Sequence, residues 1–396
     1  MKDRAVENLI KKEGKRQAET IDLIASENFV SDDVREALGS VFTNKYAEGY
    51  PNARYYGGNA VVDELEELAQ RRALALFHLS NKEWSVNVQP LSGSPANLAI
   101  YFALVPPGEK IMGMALPMGG HLSHGHIASM TGKLWKQISY GLDKKTERLD
   151  YPRIEATAKH EKPKLIVAGY TAYSRGIDWK KFRAIADSVH AYLAADISHT
   201  AGLVATGVLP SPFGHAHVVM TTTHKTLRGP RAALIFSRND LAPKIDKAVF
   251  PGLQGGPHMN TVAGVAVALD EAAKPKFRAY AIQTVKNART LADELQRLGW
   301  RIVSGGTDTH LFLVDTASHS VTGKEASDAL ERVGIIVNKN TIPFDPRGAQ
   351  DPSGIRIGTA AVTTRGMKER DMKKLAVRID NALKSVASAK KKAARA

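Results

Sequence analysis

The chain opens on a stretch whose few apolar residues are set among charges, MKDRAVENLIKKEGKRQAETI. That pattern predicts a polar amphipathic helix ending near Ile21. From Leu23 to Tyr56 the residues are rich in Gly, Asn, Ser and Tyr, which predicts loops with short helices. In VVDELEELAQRRALALFHL, Val61, Leu65, Leu68, Ala69, Leu76 and Phe77 fall at helical spacing, with Asn59 placed to cap the helix. Short apolar runs follow, EKIMGMAL, KLIVAGY, AYLAAD, HVVMTTT and AALIFS, separated by helical or turn-rich stretches. Runs that are apolar throughout, without alternation, suit strands buried on both faces. Strands alternating with helices predict an α/β fold with a mostly parallel central sheet and helices on both faces. Beyond Lys274 a long helix pattern covers Phe277 to Leu298, followed by RIVSGG, HLFLVD and GIIVNK as strands with a helix between them. This predicts a smaller C-terminal α+β domain. The expected division is an N-terminal segment over 1–50, a large α/β domain over 51–274, the small domain over 275–389 and a basic tail over 390–396.

A chain of 396 residues, 43% hydrophobic, can bury the cores of two or three domains. It has no cysteine, which excludes disulfides, thiolate nucleophiles and Cys-ligated zinc or iron–sulfur sites. No run approaches the roughly 20 apolar residues of a membrane helix, and the charged start lacks the apolar core of a signal peptide. A cytoplasmic protein is expected. The net charge is +15, and removing Lys384, Lys390, Lys391, Lys392 and Arg395 still leaves the rest at +10. The AKKKAARA tail is expected to be frayed. A basic balance of this size fits a solvated surface or attraction to a polyanion. Nucleic-acid binding is the second class of function considered, and it is set aside because the basic residues are spread along the chain rather than clustered.

Asp196 ends the apolar run AYLAAD and leads into the turn-like ISHTAG. Ligands of open α/β sheets sit beyond the carboxyl ends of the strands, so a carboxylate there can meet a cationic group. Lys225 lies between two buried-strand patterns, with His224, Arg228 and Arg231 close in sequence. Burial and cationic neighbours favour the neutral, nucleophilic amine. Together the two residues fit a pyridoxal-phosphate site, the carboxylate on the pyridinium nitrogen and the lysine as imine partner. Ser92, Gly93 and Ser94 precede a helix, where backbone N–H groups and the dipole favour a phosphate, and Gly255–Gly256 offers a second glycine turn. His121, His124 and His126 have no carboxylate or cysteine beside them, so no metal site is expected; stacking or proton handling suits one of them better.

Taken in order, LIASENF, TNKYAEGYPNARYYGG, NVQPLSGSPAN, GGHLSHG, TAYSRGIDW, DISHTAGL, TTTHKTLRGPR, FPGLQGGP, SGGTDTHLFLVD, VNKN and SGIRIGT resemble the motifs of the serine hydroxymethyltransferase family. The resemblance spans residues 23 to about 366. It implies a fold type I pyridoxal-phosphate transferase of one-carbon metabolism and glycine biosynthesis. The implied reaction is reversible transfer of the hydroxymethyl group of L-serine to tetrahydrofolate, through aldimine and quinonoid intermediates, giving glycine and 5,10-methylenetetrahydrofolate. A homodimer or dimer of dimers is implied, with residues 1–50 as a dimer arm and the active site shared between subunits.

Residue by residue, the resemblance makes Lys225 the Schiff-base lysine, Asp196 the partner of the pyridine nitrogen and His121 the residue stacked on the ring. Ser174 and His199 would contact the phenolic oxygen or the substrate. Ser92, Gly93, Ser94 and His224 would surround the phosphate, completed by Tyr46, Gly255 and Gly256 from the neighbouring subunit. Arg356 would pair with the substrate carboxylate, assisted by Ser26 and Tyr56, and Glu48 would act as general acid/base. Leu116, Gly120, His121, Leu122, Asn97, Tyr55 and Asn340 match folate-contacting positions. Ala232–Ala233, Leu253 and Ala360 depart from the commonest family pattern, as do the polar Ser198 and Thr200 around His199. None is a reacting group, but they would touch the cofactor wall and the Arg356 loop, and they leave open a folate-independent β-hydroxy amino acid aldolase or an α-methylserine hydroxymethyltransferase.

Overall fold

The structure, a computed structural model, describes residues 1–393. Contacts divide the chain into two compact units: Asn28–Ile282, and Met1–Glu27 together with the chain from Gln283 onward.

The larger unit is built on seven strands, β1 (Trp84–Asn87), β2 (Lys110–Met114), β3 (Lys136–Tyr140), β4 (Leu165–Gly169), β5 (Tyr192–Asp196), β6 (Val218–Thr222) and β7 (Ala233–Arg238). Their order is β1-β7-β6-β5-β4-β2-β3. The pairs β2–β3, β2–β4, β4–β5 and β5–β6 are parallel, whereas β7 runs antiparallel to both β6 and β1. The five apolar runs became β2, β4, β5, β6 and β7. Every residue of β4 and β6 is buried, as strands covered on both faces require. Ile100 and Tyr101 of the helix Gly93–Leu104 pack with Ile111, Leu165, Val167, Val218, Met220 and Ile235 of the sheet. The strands β1 and β3, WSVN and KQISY, went unread, because these outer strands interleave polar residues and lack an apolar run; β3 is half-exposed, whereas β1 is mostly buried.

The helix predicted after Asn59 runs Ala60–Leu76, but it buries Val62, Glu66, Ala69, Ala73 and Leu76 while Val61 is exposed. The reason is Glu66, which is fully buried because Arg54 reaches it at 2.6 Å and Gln89 at 2.8 Å. A buried charge is tolerated when it is paired and hydrogen-bonded. Asn59 occupies the N-cap position without capping; its amide instead donates to Tyr56 O at 2.8 Å.

The smaller unit holds an antiparallel sheet of β8 (Arg301–Ile302), β9 (Leu311–Asp315), β10 (Asn338–Asn340) and β11 (Gly354–Gly358), in the order β8-β9-β11-β10. Trp300, Phe312, Leu330, Ile357 and Leu375 lie in its core. RIVSGG supplies only two strand residues before a 3₁₀ turn. The start of the chain belongs here: Ile21–Asp22 pairs in parallel with Ile335–Ile336. The preceding helix, Arg4–Glu19, buries none of its residues. The helix Glu369–Ala393 inserts Met372, Leu375, Ala376, Ile379 and Leu383, a 3–4 spacing, into the core. Lys390, Lys391 and Lys392, expected in a frayed tail, continue this helix, and Lys390 pairs with Glu325 at 2.9 Å. Arg395 lies outside the described residues. Among the described residues no helix is long and apolar enough to cross a membrane.

Candidate active site

A cavity of about 130 Å³ opens beyond the carboxyl ends of β5 and β6. Asp196, the last residue of β5, and Lys225, three residues past the end of β6, both line it. A volume several times that of one water molecule leaves room for a ligand.

Asp196 is buried, and both oxygens of its carboxylate accept hydrogen bonds. Oδ2 accepts from His124 Nε2 at 2.9 Å and from Asn97 Nδ2 at 3.1 Å, and Oδ1 accepts from the Ser198 N–H at 3.0 Å. Burial alone would push this carboxyl up, but the hydrogen bond from His124, with those from Ser198 and Asn97, outweighs it and holds the group well below the usual carboxylate range. The backbone N–H of His121 donates to His124 Nδ1 at 3.3 Å. Since an N–H can only donate, Nδ1 accepts and the proton sits on Nε2, facing Asp196.

The same network reaches His121. Asn97 gives its second amide hydrogen to Ser123 Oγ at 2.8 Å, and Ser123 Oγ lies 2.7 Å from His121 Nδ1, which also accepts the Ser123 N–H. His121 is held by the start of the 3₁₀ turn Leu122–His124 and lines the cavity. Gly120 and Leu122 flank it, and Leu116 begins the preceding 3₁₀ turn.

On the other wall, Ser92, Gly93 and Ser94 form the N-terminal turn of the helix Gly93–Leu104, whose first N–H groups have no intrahelical acceptor. The helix start lies so close to β6 that a Cβ on Gly93 would stand 2.7 Å from Thr222 Cγ2. Thr222 Oγ1 in turn accepts Lys225 Nζ at 2.8 Å. His224 also lines the cavity. Burial, then the charges of Lys225 and Arg231, push it down to about 3, and its buried Nδ1 has no hydrogen-bond partner among the described residues. His199 lines the cavity as well, whereas Ser174 is buried outside its lining.

Two further groups of expected residues lie elsewhere. Tyr46 Oη donates to Glu48 Oε1 at 3.1 Å, and the Tyr46 and Tyr56 rings meet edge-on at 5.0 Å. Gly255 and Gly256 pack directly against Glu48 and the Tyr46 ring, and Tyr55 stands edge-on to Phe250 at 5.6 Å. None of these residues lines the Lys225 cavity, and Tyr46, Tyr55 and Tyr56 are exposed. In the smaller unit, Arg356 on β11 is buried, with Nε donating to Asn338 Oδ1 at 3.1 Å and Nη2 lying 3.5 Å from Ser26 Oγ. Burial brings it down to about 10, so it stays protonated at neutral pH. Asn340 is two residues along β10 from Asn338, on the same face.

Sequence reasoning missed the parts played by His124, Thr222 and Ser198. It treated Asn97 only as a folate-contacting position, while its amide is spent on Asp196 and Ser123. The His-x-x-His spacing was the available signal for His124, since a 3₁₀ turn brings positions three apart together. Among the described residues no group of side chains is arranged to hold a metal ion.

A mostly parallel sheet with an antiparallel neighbour, an aspartate ending one strand and a lysine in the link past the next define the fold type I transferases. The serine hydroxymethyltransferase family model matches residues 1–379. The chain is 54% identical over 385 residues to a serine hydroxymethyltransferase of Acidothermus cellulolyticus, covering 97% of this chain and 89% of that one. It is 53% identical over 384 residues to one of Sorangium cellulosum, covering 97% and 90%. The chain belongs to the serine hydroxymethyltransferase family, and it is an enzyme.

Proposed function

We propose that the enzyme moves the hydroxymethyl group of L-serine reversibly to tetrahydrofolate, giving glycine and 5,10-methylenetetrahydrofolate, with pyridoxal 5′-phosphate carried on Lys225. One observation carries this reading: an ionised, buried Asp196 and the Lys225 amine open onto a single cavity. The donor set fits the cofactor. A phosphate suits the N-terminal turn at Ser92–Ser94, and the buried His224 Nδ1, unpartnered among the described residues, could meet a group of the cofactor. When bound, the cofactor supplies an electron sink for the pair left on Cα as a bond to it breaks.

The remaining steps belong to the chain. Asp196, kept ionised by His124 and Asn97, would hold a proton on the ring nitrogen of the bound cofactor. Lys225 Nζ, placed by Thr222, is the nucleophile and afterwards a proton carrier near Cα. The His121 imidazole, fixed by Ser123, would cover one face of the bound ring and exclude water there. Arg356 receives the substrate carboxylate, which suits a guanidinium already oriented by Asn338 and leaves the bond to be broken in a fixed direction. Glu48 handles the proton of the serine hydroxyl.

The Tyr46, Glu48, Tyr55, Tyr56, Gly255 and Gly256 group does not line its own chain's cavity, and its rings are exposed. A homodimer, or a dimer of dimers, in which this group serves the partner subunit's site accounts for both facts. Leu116, Gly120, His121, Leu122, Asn97, Tyr55 and Asn340 remain the folate-contacting candidates. The test is turnover of L-serine with and without tetrahydrofolate. Glycine formation that depends on tetrahydrofolate supports the reading. Cleavage of β-hydroxy amino acids that ignores tetrahydrofolate, or transfer only from α-methylserine, would replace it.

A further inference from the structure

Lys225 sits in the link Thr223–Ala232 between the antiparallel strands β6 and β7. A link of this length is not fixed by the strand ladder, and each backbone residue left free keeps about 1–2 kcal/mol of conformational entropy. The backbone at the lysine is nevertheless held from far away in sequence. Asn28 Nδ2 donates to Lys225 O at 2.9 Å and to Tyr280 Oη at 2.8 Å. Tyr280 Oη then reaches Thr226 O at 3.4 Å. Asn28 Oδ1 is used as well, accepting the Phe29 N–H at 2.9 Å, so the orientation of its amide is determined.

A second grip comes from Arg228. Its N–H turns back to donate to Lys225 O at 3.1 Å, and its own backbone lies in the left-handed region at φ 61°. Its guanidinium lies 5.1 Å from the centroid of the Tyr280 ring, a cation–π arrangement on a buried tyrosine. Asn28 is the first residue of the larger unit and Tyr280 lies two residues before its last. The two ends of that unit's chain therefore meet at the carbonyl of the lysine.

We propose that Asn28, together with Tyr280, is a positioning residue for Lys225, setting the turn from which Nζ reaches Thr222 Oγ1 and the cavity. Neither residue touches the cavity, so they act only through the lysine's backbone. The proposal deepens the reading of Lys225 as the cofactor-bearing group and rests on it for its importance to catalysis, but the placement of Nζ is measurable without cofactor.

The experiment follows acylation of Lys225 in the cofactor-free full chain across pH, by peptide mass, relative to the exposed Lys180. Asn28→Asp is isosteric but has no amide hydrogens to donate. Its Lys225 should change in relative modification rate by about five-fold, the equivalent of one hydrogen bond of about 1 kcal/mol, with a displaced pH midpoint. Tyr280→Phe, a milder variant, should change it by about two-fold. A purely structural role would lower the melting temperature and leave both the rate ratio and the midpoint unchanged; that result in the variants that fold overturns the proposal. Imine formation with added pyridoxal phosphate is read in parallel. A wild-type protein that forms no imine would end the cofactor reading, while the acylation ratios would still decide the role of Asn28.

Discussion

His124 Nε2 lies 2.9 Å from Asp196 Oδ2, and the backbone of His121 fixes its tautomer from the other side. A hydrogen bond to a charged group is worth about 1.5–3 kcal/mol. His124→Phe keeps the volume and removes the donor, so pyridoxal phosphate should bind about ten- to hundred-fold more weakly. His124→Gln, which restores a donor, should recover part of the loss. Titration of each variant's cofactor-free form with pyridoxal phosphate, followed by absorbance, measures this directly.

The contact between Gly93 and β6 gives a prediction with its own rescue. Gly93→Ala places a methyl 2.7 Å from Thr222 Cγ2, and Thr222 is the residue that receives Lys225 Nζ. Overpacking of this kind costs about 1–3 kcal/mol. Thermal melting and cofactor affinity should both fall. Gly93→Ala combined with Thr222→Ser removes the clashing methyl but keeps the hydroxyl, and should regain most of both.

Arg356 and the cofactor are expected to separate kinetically. Arg356→Lys keeps the charge and loses the planar fork that matches a carboxylate. The KM for L-serine should rise by about ten-fold or more, as for loss of one charge-assisted bond, with cofactor affinity unchanged. A parallel loss of cofactor affinity would show that Arg356 has another role.

Acid should destabilise the cofactor-free protein partly through His224. In the folded chain burial and the charges of Lys225 and Arg231 push it down to about 3, below the ordinary histidine value of 6.5. Between these the unfolded chain holds a proton that the folded chain does not, so stability rises with pH in this window and is lost as pH falls below about 6.5. His224→Gln should flatten the stability–pH slope between pH 4 and 6 by up to one proton, about 1.4 kcal/mol per pH unit. Urea unfolding at several pH values gives the slope.

If the exposed Tyr46–Glu48–Gly256 group serves the partner subunit's site, two inactive variants should complement each other. Lys225→Ala spoils the cavity and Glu48→Gln spoils the group presented to the partner. Mixed after dissociation and reassociation, hybrid dimers would contain one intact site, and activity should return. No recovery, with hybrids shown by mass to be present, would place Glu48 in its own chain's site.

Most of the sheet could be read because β2, β4, β5, β6 and β7 each hold a continuous apolar run without alternation, as burial on both faces favours. Asp196 and Lys225 stood out for the same reason, as charges attached to the ends of buried strands. What stayed hidden depends on contacts distant in sequence. Glu66 belongs to the buried face of its helix only because Arg54 and Gln89 converge on it. His124 looked like one of three neighbouring histidines, and its bond to Asp196 spans 72 residues. The C-terminal helix Glu369–Ala393 packs through a narrow apolar stripe in a lysine-rich background, where charge masks the periodicity.

The most direct test of the account is the visible absorption of the purified protein with pyridoxal phosphate, followed by borohydride reduction and peptide mapping. The account predicts an imine band that is absent in Lys225→Ala, and a reduced phosphopyridoxyl group on the peptide containing Lys225. A protein that stays colourless with excess pyridoxal phosphate, or that carries the group on another lysine, would contradict it.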